Sequence, residues 1–239
     1  MEKTRIFLLG ILLSFTAFTF AQEFAAPFDA FSRSKTAYIH MKDGSVKEGV
    51  LDGFKRTKGL IEVVKLETPN GRKLELSASR ISHMYLAPSV MAKISAATDM
   101  AYKVHKWGSK LNYDTVLMRE GYVYFEQVPA MVKGQKEMVL LQMVNTEFSS
   151  QIKVYHDPWA GETASFGNDY IAVGGIDKSY YVWKKDENVA NRLKKADYKE
   201  EFRQLYGDSP AFIKSHRDNM DWRDFATHVY DYTVLMEGE

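Results

Sequence analysis

The stretch "YIHMKDGSVKEGVL", residues 38–51, decides how the chain is read. Apolar and polar side chains alternate on both sides of Asp43-Gly44, and a period of two is the mark of a strand with one covered face. Asp43-Gly44 is a turn signal, because glycine accepts positive φ without steric cost. The first strand begins at Thr36 and places Ala37, Ile39 and Met41 on one face. The returning strand, 45–54, carries Gly49 and Gly53, where a strand can bend sharply.

The pattern continues outward. Residues 60–66 are apolar and β-branched at Ile61, Val63 and Val64, Pro69-Asn70-Gly71 is a turn, and 73–76 and 81–86 supply two more short strands. Residues 22–87 are therefore expected to form a small closed or partly open β-barrel. The most basic cluster, "KRTKG" at 55–59, reads as a solvated loop.

This segment resembles the Sm-like and SH3-like small-barrel families through Asp43-Gly44, Gly49, Val50-Leu51 and Gly53-Phe54. The resemblance implies a shape and not a ligand. In Sm proteins an Asp follows the "G-x-L-x-G-F" run and an Asn follows soon after, both holding a uridine. Here Lys55 and Gly59 stand in those places, and "SASRISHMYL" at 77–86 replaces the Arg-Gly signature. These departures argue against RNA as a partner.

The chain opens with Lys3 and Arg5, an apolar run over 6–20, and Thr19-x-Ala21. That is the three-part logic of a secretory signal peptide, expected over 1–21 with Gln22 left first. The apolar run is shorter than the roughly 20 residues of a membrane-spanning helix, and no later run is long enough. There is no cysteine, hence no lipobox, disulfide or thiolate metal site. The expected location is periplasmic or secreted. Of 32 basic and 31 acidic residues, two and one lie in the leader, so the rest balances at 30 and 30. No global positive field recruits nucleic acid.

Residues 88–112 change period and read as a partly helical connector, with Ser89 placed to cap a helix carrying Val90, Ile94 and Ala97. The region 113–239 is expected to hold an antiparallel sheet with C-terminal helices. Its strands are sought in "LMREGYVYFEQV" (117–128), "KEMVLLQMVN" (136–145), "SSQIKVYHD" (149–157), "DYIAVGG" (169–175) and "KSYYVWKK" (178–185). The last two form a hairpin across Ile176-Asp177. The nearly continuous apolar run at 136–145 fits a strand covered on both faces. Beyond 186, Tyr198, Phe202 and Leu205 share a helical face, Gly207 stops that helix, and Pro210 opens another. The final helix is expected to be capped by Asp221 and to carry the stripe Trp222, Phe225, Val229 and Tyr232. The fold class is α+β.

The "YYV" strand at 180–182, the helical segment after it, "YGDSP" at 206–210 and the leader's "FAQ" ending are similar to an uncharacterised secreted protein family of Bacteroidota. The resemblance implies an envelope protein and no mechanism.

Candidate chemistry is sparse. His40, His83, His105 and His156 show no metal-binding spacing, and Asp221, Asp224 and His228 recur at helical intervals that could supply half of a metal site but read more plainly as a surface Asp–His pair. Glu126 sits in an aromatic strand, where burial raises a carboxyl pKa; pairing with a lysine of the next strand is the plainer expectation. There is no G-x-S-x-G and no phosphate-cradle spacing. No catalytic residue, metal or cofactor is assigned. The long loop 156–168 is the candidate binding element, with Trp159 presenting an apolar face and His156 and Asp157 flanking it; folding of Trp159 back onto the sheet is the plainer expectation. The expected function is a non-catalytic envelope protein that binds another protein or a glycan. A hydrolase with acidic residues gathered only by folding is the alternative, and an extracytoplasmic sensor or stress-induced factor comes third.

Overall fold

The computed structural model describes residues 22–92, 113–160 and 177–238. Strands β1 (Thr36–Met41), β2 (Val46–Thr57), β3 (Leu60–Glu67), β4 (Lys73–Ser77) and β5 (Ile81–Leu86) follow one another, with a single 3-10 turn, Ala78–Arg80, before β5. A short helix, α1 (Thr115–Arg119), precedes β6 (Val123–Val132) and β7 (Gln135–Gln142). All seven strands form one antiparallel sheet in the order β4-β3-β2-β1-β5-β6-β7. The sheet curls into a half-barrel. Ile61 and Leu66 of β3 thereby meet Leu140 of β7 in the same core as Ile39, Met84 and Phe125.

The turns fall where the sequence places them. Gly44 and Gly71 take φ of 83° and 76°, and the Asp43 carboxylate accepts the Ser45 amide at 2.9 Å. The expected loop at 55–59 is instead strand: β2 runs to Thr57 and turns over Lys58-Gly59 alone. A hydrogen-bonded partner in β3 outweighs the solvation of Lys55 and Arg56, whose charged heads reach water on long stems. Gly49 meets a close approach. A Cβ there would stand 2.5 Å from the Glu67 carbonyl oxygen.

A second sheet holds β8 (Ile152–His156), β9 (Ser179–Lys184) and β10 (Asn191–Lys194) in the order β10-β9-β8. The strands expected over 115–185 as one sheet are thus divided. β6 and β7 extend the first sheet, and β8 and β9 belong to the second. Leu117–Arg119, read as strand, is helix, because the Asp114 carboxylate caps the amides of Val116 and Leu117. β9 is paired by β8 on one side and β10 on the other, so both its edges are taken. The expected hairpin arm at 169–175 lies outside the described residues, as do residues 1–21 and most of the connector; within the connector, Ser89 Oγ accepts the Ala92 amide at 3.1 Å.

Helices α2 (Tyr198–Leu205), α3 (Pro210–His216) and α4 (Phe225–Gly238) complete the chain. The predicted stripe is buried: Trp222, Phe225, Val229 and Tyr232 are all at most 5% exposed. Asp221 accepts the Arg223 amide ahead of α4, and Ser209 with Pro210 starts α3. Alternation along β9 sets the layering: Tyr180 and Val182 face the helices, whereas Tyr181 faces the half-barrel with Tyr155 of β8. Half-barrel, small sheet and helices therefore stack with the small sheet in the middle. The lead 22–31 ties the layers. Phe24 stands edge-on to Tyr180 and Phe225, Ala25 N donates to Val144 O, and buried Gln142 accepts from Phe28 N and donates to Ala26 O.

Gly49→Ala is expected to lower the unfolding free energy by about 1–3 kcal/mol, because the β2–β3 backbones must part. Urea denaturation of the variant checks this; a loss below about 0.5 kcal/mol would show that the strands yield freely.

Candidate functional site

The hairpin between β6 and β7 projects past the half-barrel and meets the small sheet. Its two-residue turn is Lys133-Gly134, at φ 50° and 82°. Just before the turn, Met131 N donates to Ala190 O and Ala190 N to Pro129 O, locking the hairpin to the chain entering β10. Between the turn, β9 and β10, and the 158–160 segment lies a cavity of about 680 Å³. That volume is in the range of small-ligand sites. Trp159 and Tyr181 supply aromatic surface, and Lys133, Arg192 and Lys194 supply charge.

The three predicted residues have different fates. Trp159 lines the cavity; its indole Nε1 lies beside the Gly59 turn, and the Lys133 ammonium stands 6.0 Å from the ring centre. Asp157 does not line it. It is fully buried and accepts from Ser179 Oγ at 2.6 Å, from Arg192 Nε and from the Trp159 amide at 3.0 Å, so it shapes the loop and fixes the guanidinium. His156 points elsewhere, with Nδ1 3.2 Å from an Asp177 carboxylate whose backbone carbonyl accepts Trp222 Nε1. Burial, with the Asp157 carboxylate next, pushes the Tyr181 hydroxyl up to about 12, so it stays a neutral hydrogen-bonding group at physiological pH. Lys133, Arg192 and Lys194 were not singled out from the sequence. The only signal for Lys133 was its place before Gly134 at a hairpin turn, and β10 itself was unrecognised.

A second cluster joins the two sheets. Glu126 of β6, whose side chain is 15% exposed, accepts from Tyr155 Oη at 2.6 Å, Lys153 Nζ at 2.8 Å and Tyr124 Oη at 3.3 Å. The expected lysine partner exists, but on β8 of the other sheet. Burial, reinforced by the Glu126 charge, drives the Tyr124 and Tyr155 hydroxyls far up, so both remain donors. On the same face, His40 and His83 stack across β1 and β5 with ring centres 4.2 Å apart, and burial lowers both pKa values. Glu126 does not line the cavity, and its donors leave it a packing role.

The expected surface Asp–His pair on the last helix is not found. His228 is 0% exposed, and its Nδ1 lies 2.7 Å from Tyr198 Oη among Phe202 and Phe212. Asp221 and Asp224 lie in the turn ahead of α4, and the His side of α4 turns inward because α2 and α3 cover it. Burial, with His216 next to it, brings the His228 pKa down to about 4. Among the described residues no three His, Asp or Glu side chains gather as a metal site.

Glu126→Ala is expected to lower stability by about 1–3 kcal/mol, discounted from a fully buried pair because Lys153 reaches solvent. A double-mutant cycle with Lys153→Met reads the coupling, and additivity would show that this pair does not hold the sheets together. The His228 pKa lies below its ordinary 6.5, so the unfolded chain takes the proton first as pH falls. Its contribution is complete above 6.5, declines down to about 4, and amounts at most to roughly 3 kcal/mol. Urea midpoints across that window should fall less steeply for His228→Phe than for the parent, and parallel slopes would contradict the assignment.

Compared with protein-family models, curated proteins and solved structures, the chain matches none.

Proposed function

We propose that this chain is an exported, non-catalytic binding protein whose ligand site is the cavity between the β6–β7 turn and the small sheet, and that the ligand is a glycan. The carrying observation is Trp159, half-buried with one side on the protein and lining a cavity of about 680 Å³ beside Tyr181, Asn191 and Lys133. An aromatic face flanked by amide and charged donors suits the C–H faces and hydroxyls of a sugar ring, and the volume suits a mono- or disaccharide. The described side of the site is built in advance: Asp157 holds the Trp159 backbone, and the hairpin is bonded to Ala190, whereas residues 161–168 of the expected loop lie outside the described residues. Preorganisation of this kind lowers the cost of binding.

Export rests on the leader 1–21. Gln22, first after the expected cut, donates its backbone amide to Thr227 of α4 at 3.2 Å, so the described packing includes the first residue of the expected mature chain. The curl of the sheet through the first five strands fits the partly open small barrel expected of them. No helix among the described residues is long and apolar enough to cross a membrane. The hydrolase alternative draws no support from Glu126, whose oxygens are engaged by Lys153, Tyr155 and Tyr124.

The test is a glycan array probed with the chain from Gln22 onward, followed by titration calorimetry of any hit with the parent and Trp159→Ala. Trp159→Ala is expected to weaken binding by about tenfold or more, the usual scale for a stacked aromatic anchor. Unchanged affinity would move the site away from the cavity, and an array without hits would overturn the glycan reading.

A further inference from the structure

Among the described residues, every charged side chain in the cavity lining is a cation: Lys133, Arg192 and Lys194. We infer that the saccharide bound there is anionic, carrying a carboxylate, sulfate or phosphate group; this rests on the glycan-binding reading and specifies its ligand. The described carboxylates nearby lie beneath or beside the cavity. Asp157 is fully buried under its floor, and Asp197 approaches Lys194 only to 3.9 Å, with both side chains more than half exposed. Glu137 is near enough to act on the Tyr181 hydroxyl but is not in the lining.

The cations are held in different ways. Arg192 is fixed in orientation: Nε is committed to Asp157, and Nη2 lies 3.2 Å from Ser179 Oγ and 3.5 Å from Trp159 O. A guanidinium so anchored leaves Nη1 as its remaining donor, held in one orientation toward an oxyanion. Lys133 sits at the tip of a tight turn with its ammonium toward the Trp159 ring. A sugar stacked on that ring would place an acidic substituent within reach of the ammonium. Tyr181, kept protonated by its surroundings, offers a neutral hydroxyl beside them. Aromatic face, anchored guanidinium and turn lysine together select a ring that carries charge over a neutral one.

The experiment uses the chain from Gln22 onward with digalacturonate and its fully methyl-esterified form, matched in shape but not in charge, a heparin-derived disaccharide, and inorganic phosphate alone. The expected result is binding of at least one acidic oligosaccharide, about tenfold or more tighter than the methyl ester. That binding should weaken as salt rises from about 50 to about 500 mM, as screening of the cations requires. Lys133→Asn should weaken it severalfold without disturbing the fold, since asparagine accepts positive φ, and Lys194→Gln provides a second reading at a strand position. Equal binding of the methyl ester, with no salt dependence, would overturn the anionic inference and leave the glycan reading standing. Binding of phosphate as tight as that of the acidic sugars would overturn the saccharide part. Failure of every oligosaccharide would overturn both.

Discussion

The Glu126 carboxylate is the hinge of the structure. It belongs to the half-barrel, yet two of its donors, Lys153 and Tyr155, belong to the small sheet. Apolar contact between two sheets is non-directional and tolerates sliding. A carboxylate that must collect its donors from a facing strand does not, because a shift of one residue would bury the charge unpaired. Glu126 thereby fixes the register of β8 against β6, and every element beyond β8 inherits that position.

The small sheet then serves two layers. On one face Tyr155 and Tyr181 close the half-barrel's outer surface with Tyr85, Tyr124 and Val128. On the other, Ile152, Val154, Tyr180 and Val182 accept the aromatic side of the helices. Three strands alone would be marginal, so this sheet depends on being covered twice. The lead segment reinforces the stack, since Gln142 bonds its backbone to the half-barrel while Phe24 enters the helical core.

The cavity follows from the same arrangement. β6 and β7 are longer than the contact with the small sheet needs, and their turn overhangs β9 and β10. Pairing of Met131 and Ala190 sets the height of the overhang, and Asp157 sets the wall opposite. The charged lining comes from two separate places, a hairpin tip and the strand β10, and the loop that follows β8 adds Trp159.

Much of the local structure was legible in the sequence. Strand alternation around Asp43-Gly44, the Asp221 cap and the Trp222–Tyr232 stripe depend on neighbours within a few residues, and backbone sterics and helical periodicity decide them without reference to the rest of the chain. The joining of β5 to β6, the division of the later strands between two sheets, and the burial of His228 were not legible, because strand pairing and helix covering link residues far apart in sequence. The candidate site divides the same way. Trp159 stood out as a large aromatic in a long loop. The roles of Asp157 as a buried brace and of Lys133, Arg192 and Lys194 as one charged lining exist only once two sheets meet, since charge acts through distance in space and not along the chain.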